Sequence, residues 1–209
     1  MDLLQKIGYR MHLVLLAVLG VLMSGCATRS APVNLYDFGP LDAVSANSAV
    51  TAPAALSIAA IQVPAALNNQ SMLYRLDYVN DLQPRSYAGS RWSMPPAQLL
   101  EQRLKARLAQ AGTVVLSGSE GANTLPVLRI EVDEVMQRFS SAQQSRAQLG
   151  LRATLFNGRT LLAQKSFHQH APAASADAAG GARAMAHASD ALIDELIAWL
   201  AALPPPQKK

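Results

Sequence analysis

The sequence has one cysteine in 209 residues and little charge. A lone thiol has no partner within the chain, which excludes a disulfide scaffold and a zinc site built from cysteines. Charged residues make up 15% of the chain and its net charge is +4. That balance is mild, the arginines are scattered, and no nucleic-acid-binding motif is present, which argues against a nucleic-acid partner. Half of the residues are apolar, enough for the core of one domain.

Motifs that carry catalysis are also missing. No Gly-x-Ser-x-Gly elbow and no phosphate-binding loop occur in the sequence. His168 and His170 would share one face of a strand, but a metal site usually needs three or four ligands, so a solvated strand end is favoured over a metal site. The acidic group Glu131, Asp133 and Glu134 is favoured as a charged strand face over a carboxylate pair. We therefore predict a protein that is not an enzyme, with no catalytic residues, no metal and no cofactor.

The first 30 residues explain the single cysteine. Lys6 and Arg10 precede an apolar stretch, Leu13–Met23, which has the length of a signal-peptide core and is too short to cross a bilayer. Small residues and then Cys26 follow, within "LMSGCATRS". This segment resembles the lipobox of bacterial lipoproteins, although Met23 stands where leucine is usual. An ordinary secretory signal with an incidental cysteine is the alternative.

The lipobox resemblance implies cleavage between Gly25 and Cys26. Cys26 would then carry a covalent diacylglycerol and an N-acyl chain, which leaves the mature protein with no free thiol. The residue after the cysteine is Ala27, whereas aspartate there retains enterobacterial lipoproteins in the inner membrane. The resemblance thus implies the periplasmic face of the outer membrane. Met1 is expected as the start rather than Met11, because Met11 would leave almost no charged region.

The rest of the chain predicts a single domain. The predicted divisions are a signal peptide at 1–25, a lipidated tether at 26–33, one α+β domain at 34–203 and a disordered tail at 204–209. A loose Ala/Ser/Pro connection is expected at 42–53. Strands are predicted around 33–41, 56–64, 72–80, 86–92, 113–118, 125–135, 146–156 and 160–167. Asn157-Gly158 predicts a hairpin between the last two.

Two amphipathic helices complete the predicted fold. The first begins near Pro95-Pro96, with Ser93 as its cap, and ends at Gly112. Leu100, Leu104 and Leu108 form its apolar stripe, with Arg103 and Arg107 largely off it. The second helix is predicted over 183–203. The expected fold is a mostly antiparallel sheet with both helices packed on one face.

Residues 57–112 carry a second resemblance. The segment contains an apolar strand ending in Val63-Pro64, a Tyr74-Arg75 element, Tyr87, and Arg91-Trp92 before a helix that starts with proline. This order is similar to the ABC-type transport auxiliary lipoproteins, the PqiC-like family. The later hairpin and the C-terminal helix fit the same plan.

The family resemblance implies a part of an intermembrane lipid transport system. Such lipoproteins work beside MCE-domain proteins and their ABC transporter or permease, and relatives are expected to form homo-oligomeric rings. The lipoprotein would dock the outer-membrane end of the conduit. Two alternatives remain open: an independent periplasmic lipoprotein that binds a lipid or envelope ligand, and an outer-membrane assembly factor.

The same resemblance makes Tyr74, Arg75, Arg91 and Trp92 a candidate partner interface, because Arg and Trp dominate interface hot spots. The competing interpretation is structural. Trp92 would pack the first helix against the sheet, and Arg75 would pair locally with Asp77 or Asp81. If the interface interpretation holds, Arg91→Ala weakens assembly and leaves the fold intact.

Overall fold

The computed structural model describes residues 32–41, 55–117 and 125–204. The chain divides into two units, Met1–Pro32 and Val33–Lys209, and all secondary structure given below belongs to the second. The signal segment, Gly25 and Cys26, and the connection predicted at 42–53 lie outside the described residues, as does the tail beyond Pro204. No helix in the described residues is long and apolar enough to span a membrane.

Eight strands form one mixed sheet on which two helices pack. β6 lies at the centre of the sheet and pairs with β7 on one side. On its other side, β6 pairs with β2 near its start and with β3 near its end. β8, β4, β1 and β5 then extend the sheet from β7, β3, β4 and β2 respectively. The elements are β1 (Asn34–Tyr36), β2 (Ala55–Ile58), β3 (Ser71–Leu76), β4 (Pro84–Trp92), α1 (Pro96–Gln110), β5 (Val114–Ser117), β6 (Val127–Phe139), β7 (Ser145–Asn157), β8 (Thr160–Pro172) and α2 (Ala178–Ala202).

The three longest strands, β6, β7 and β8, pair antiparallel over 13 residues each. The hairpin predicted at Asn157-Gly158 is present, and its turn residues are Gly158 and Arg159. Gly158 has φ of 56°, a conformation that favours glycine. The pairing of β6 with β7 shifts register at Asp133, between Val132 and Glu134. Alternation restarts there, so Val135 and Gln137 face the helices together with Val132.

The sheet therefore has two chemically different faces. Its helix face is buried, and in β6 it consists of Leu128, Ile130, Val132, Val135, Gln137 and Phe139. The opposite face, called the outer face below, carries mostly polar side chains, and in β6 they are Arg129, Glu131, Glu134 and Arg138. A one-sided sheet of this kind buries alternate residues. The α+β class with two helices on one face is confirmed, and the parallel pairs are β1 with β4, β2 with β5, and β2 and β3 with β6.

β3 is shorter than predicted. The sequence predicts a strand over 72–80, which includes Tyr78, but the strand ends at Leu76 and Tyr78 is 50% exposed. The backbone amides of Val79 and Asn80 both donate to the carbonyl of Leu76, which closes a turn instead of continuing the ladder. Residues 77–83 form the loop of the β3–β4 hairpin and are called the hairpin tip below.

Helix α1 ends where predicted and begins without its predicted cap. Pro95 occupies the N-cap position and no side chain caps the helix, while the amide of Ser93 donates to the carbonyl of Tyr36 at 2.7 Å. Ser93 as the cap is therefore wrong, because its backbone is used to connect β4 to β1. Gly112 follows the helix with φ of 82°.

Helix α2 begins five residues before its predicted start, within an Ala/Gly segment. Asp177 caps it: its carboxylate accepts from the Gly180 amide at 2.7 Å and from the Ser175 hydroxyl at 2.8 Å. A Cβ on Gly181 would lie 2.0 Å from Gln137 Oε1, and one on Gly180 would lie 2.1 Å from the Ser175 carbonyl. Gly181 thus lets the first turn of α2 approach the sheet more closely than any side chain would permit, and Gly180 allows the same close approach to the loop before the helix.

Candidate functional site

The histidines and carboxylates singled out in the sequence lie on the outer face. His168 and His170 are exposed on β8, and the described residues contain no group of three or more His, Cys, Asp or Glu arranged to hold a metal. Glu131 is paired with Arg152 of β7. Glu134 accepts a hydrogen bond from Gln148 at 2.8 Å. These contacts link neighbouring strands across a solvated surface, so they stabilise the sheet and assemble no carboxylate pair.

The four residues predicted as a partner interface are divided between the two faces. Adjacent residues of a strand point in opposite directions, so Tyr74 and Arg75 separate, as do Arg91 and Trp92. Arg75 and Arg91 are half-buried and lie on the outer face. Of these four residues, the two arginines therefore share the outer face, and Tyr74 and Trp92 lie on the helix face.

Trp92 lies in the core, where it is 3% exposed and meets Phe38 edge to face at 5.6 Å. Tyr74 is half-buried against Tyr87, with ring centroids 4.6 Å apart. A buried ring supplies no contact surface, so Trp92 is removed from the candidate interface on physical grounds. The interface hypothesis therefore depends on Arg75 and Arg91. The Arg75 guanidinium donates to the backbone carbonyl of Asp81 at 2.8 Å, so its local contact is with the main chain of Asp81 and is not the predicted pair with a carboxylate.

Asp77 pairs with a different arginine from the one suggested by the sequence. Its carboxylate accepts from Arg138 Nε at 2.9 Å, which joins the end of β3 to the end of β6. The hydrogen bond to Asp77 raises the pKa of Arg138 above its ordinary value. The Asp77 amide also donates to the Phe139 carbonyl at 3.0 Å. The base of the hairpin tip is therefore fixed to the sheet.

A buried polar cluster lies beneath the first turn of α2. Gln137 accepts from the Tyr87 hydroxyl at 2.9 Å and donates to the Ser145 hydroxyl at 2.8 Å and the Asp177 carbonyl at 3.1 Å. Burial raises the pKa of Tyr87 above its ordinary value. The adjoining cavity measures about 10 Å³, room for about one water molecule. The cluster is satisfied internally, and we interpret it as structural.

Arg103 is the most consequential residue that the sequence pattern does not reveal. Helical spacing puts it largely off the apolar stripe of α1, yet it is 7% exposed and forms a bidentate pair with Asp190 of α2, both contacts at 2.6 Å. It also donates to the carbonyls of Phe38 and Gly39 at 2.8 and 3.1 Å. A single arginine thus ties both helices to the segment after β1. Helical spacing alone carries no signal for such a long-range pair.

An open groove of about 360 Å³ runs between the segment after β1 and the first half of α2. Its apolar lining includes Leu35, Phe38, Ala182 and Ala186, and Asp37 and Arg183 contribute the charged groups. The volume is within the range of small-molecule sites. The groove is open to solvent along its length, unlike an enclosed ligand pocket.

The hairpin tip presents three large apolar side chains to solvent. Tyr78 is 50% exposed, Val79 59% and Leu82 83%. The predicted strands at 72–80 and 86–92 leave a connection between them, but Tyr78 and Val79 fall within the first of these strands, so their exposure is not predicted from the sequence.

Comparison with known proteins identifies the fold and the family. Residues 36–197 match the ABC-type transport auxiliary lipoprotein component family. The crystal structure of protein XCC0632 from Xanthomonas campestris, of family DUF330, is similar with a TM-score of 0.69 at 18% identity, over 80% of this chain and 94% of that one. A second solved structure, of an uncharacterized protein, gives 0.63 at 19%, over 80% and 97%. A search of curated proteins gave no match.

The two structural similarities lie below 25% identity and establish the fold alone. The family match is independent of them and spans most of the domain, from the end of β1 into the last turns of α2. It includes Tyr74-Arg75, Tyr87 and Arg91-Trp92, the residues that carry the resemblance in the sequence. The chain therefore belongs to the family of ABC-type transport auxiliary lipoprotein components.

Proposed function

We propose that this protein is a non-enzymatic auxiliary component of an ABC/MCE-type intermembrane lipid transport system, anchored to the periplasmic face of the outer membrane, where it docks the end of the conduit. The observation that carries the proposal is the family match over residues 36–197, preceded in the same chain by a lipobox-like cysteine. The family supplies the association with an ABC transporter. The MCE-domain partner and the docking role are the proposed additions.

Cys26 is the proposed anchor. Its diacylglycerol and N-acyl chain would each contribute about 0.8 kcal/mol per methylene buried in the bilayer, which makes membrane attachment essentially permanent. Ala27 after the cysteine supports the outer membrane as the destination. The anchor leaves no free thiol in the mature protein, so the domain contributes no cysteine chemistry.

Neither of the two cavities described above is both enclosed and large, which supports an adaptor over an independent lipid carrier. The enclosed cavity near Tyr87 holds about 10 Å³, and the larger groove beside α2, about 360 Å³, is open. A carrier shields most of the surface of its ligand, which requires an enclosed pocket of several hundred Å³. The independent carrier remains the second candidate, and the α2 groove is where its ligand would bind.

The outer face around Arg75 and Arg91 is the proposed partner surface. Arg91 lies opposite Leu35, a residue of β1 that is 65% exposed. It makes no ion pair with any residue the structure describes. An unpaired guanidinium beside an exposed leucine is the combination that interfaces favour. The occupant is either the MCE-domain partner or a second copy of this chain in a homo-oligomeric ring.

The anchor is tested first, by metabolic labelling with an alkyne fatty acid and mass spectrometry of the N-terminal peptide. The wild-type protein is expected to carry acyl chains on Cys26 and to sediment with outer membranes. Cys26→Ser is expected to lose both the acyl chains and the sedimentation with outer membranes. The double variant Cys26→Ser/Ser30→Cys keeps one thiol four residues further on; acylation of that variant would show that any nearby thiol is modified, which contradicts a lipobox.

A further inference from the structure

The hairpin tip is an ordered apolar projection. The Leu82 amide donates to the Asn80 side chain at 2.9 Å, and the Arg75 guanidinium holds the Asp81 carbonyl. Together with the Asp77–Arg138 pair, these contacts fix the loop while Tyr78, Val79 and Leu82 remain exposed. A fold that fixes large apolar side chains in water at one place usually has a partner for them.

The chain direction relates the hairpin tip to the anchor. β1 runs parallel to β4, and β4 runs away from the hairpin tip, so the first residue of β1 is the end of that strand nearer the tip. Arg91 is paired with both Leu35 and Ser71. From Ser71, β3 runs four residues to Arg75 at the base of the tip, a distance of about 13 Å.

The anchor is within reach of that end. Cys26 precedes Leu35 by nine residues, and an extended chain of that length spans about 30 Å. The tether is therefore long enough for acyl chains on Cys26 and the hairpin tip to meet the same bilayer surface.

The charge around the hairpin tip suits a phospholipid surface. Segments 75–85, 138–146 and 173–177, which lie at this end of the sheet, contain four arginines and three aspartates, a net charge of +1. Cationic groups beside apolar side chains favour a bilayer that contains anionic lipids. Tyrosine is enriched at the level of the headgroups, where its ring is in apolar surroundings and its hydroxyl is in water.

We propose that the hairpin tip inserts Val79 and Leu82 into the same membrane leaflet that holds the acyl chains of Cys26, with Tyr78 at the headgroup level. The inference rests on the lipid anchor of the proposed function. The anchor and the tip then form two attachment points, which orient the domain relative to the membrane. The β7–β8 turn at the opposite end of the sheet faces away from the bilayer.

The test uses a fluorescent label on the full lipidated protein. Acylated Cys26 is unreactive, so a cysteine introduced as Leu82→Cys is the sole target of an environment-sensitive NBD label. Leu161→Cys, at the opposite end and 55% exposed in wild type, is the matched control. Val79→Cys is a second position within the tip. The proteins are reconstituted into phosphatidylethanolamine vesicles with a minority of phosphatidylglycerol, with or without acyl-chain-brominated lipid.

The expected result is a several-fold gain and a blue shift of NBD emission at positions 82 and 79, quenched by brominated lipid, with no change at position 161. Aqueous emission at 82 and 79 on vesicle-bound, acylated protein would overturn the inference and leave the anchor intact. Shielding at 82 without quenching would indicate a protein occupant and overturn it as well. Absence of acyl chains on Cys26 in the same samples would overturn the anchor and, with it, the inference.

Discussion

The contact of Arg103 with Asp190, Phe38 and Gly39 gives the sharpest stability prediction. Arg103→Met keeps the aliphatic stem but leaves Asp190 and two backbone carbonyls without their donor. Removing one partner of a buried pair costs about 3–5 kcal/mol. The Asp190 side chain is 22% exposed, so solvent recovers part of that loss, and we expect about 2–4 kcal/mol. For a domain of this size the corresponding fall in Tm is about 10 °C.

Arg107→Met is the matched control, one helical turn further along α1. Arg107 also pairs with an aspartate of α2 at 2.6 Å, but Asp194 is 58% exposed, so we expect a loss of about 1 kcal/mol or less. Urea unfolding followed by circular dichroism measures both variants. Equal losses for the two arginines would refute the reasoning, because burial and the two carbonyl contacts are what distinguish them.

Two further predictions concern the cap of α2 and the proposed partner surface. Hydrogen bonds from Gly180 and Ser175 lower the pKa of Asp177, so its contribution is present above about pH 4 and is lost as pH falls through the folded pKa. Asp177→Asn should keep most of the cap and lose this acid-range dependence, as measured by urea unfolding at neutral and acidic pH. If the free energy of unfolding of the variant still fell with pH as steeply as that of the wild type, the assignment would be contradicted. Arg91→Ala should weaken homo-oligomers or partner capture in light scattering and pull-down at unchanged Tm. Arg85→Ala, on the same strand, is its control, and an equal effect of both would count against a specific surface.

Local patterns predicted the central part of the fold correctly. Alternation in β6 and β7, the glycine turn between β7 and β8, and the proline-started helix α1 are each encoded by neighbouring residues. The parallel pairing of β1 with β4 and of β2 with β5 is not encoded by neighbouring residues, because both pairings depend on contacts between distant segments. The early start of α2 was missed for a related reason. Its glycines lower helix propensity, and their benefit, close approach to Gln137, exists only in the folded sheet.

The candidate surfaces were less predictable than the fold. Tyr74-Arg75 and Arg91-Trp92 appear as compact motifs in sequence, but strand geometry directs each pair to opposite faces, and Trp92 is core. The exposure of the hairpin tip follows from the point at which β3 ends. Hydrogen bonds to the Leu76 carbonyl determine that point, and the alternating sequence pattern continues past it.

The most direct test of the account is affinity purification of the full lipidated protein from mildly solubilised native envelopes, followed by mass spectrometry of the proteins and lipids that accompany it. We predict recovery of an MCE-domain protein together with its ABC transporter or permease. Recovery of the lipoprotein alone with stoichiometric bound lipid would contradict the adaptor role and establish an independent carrier.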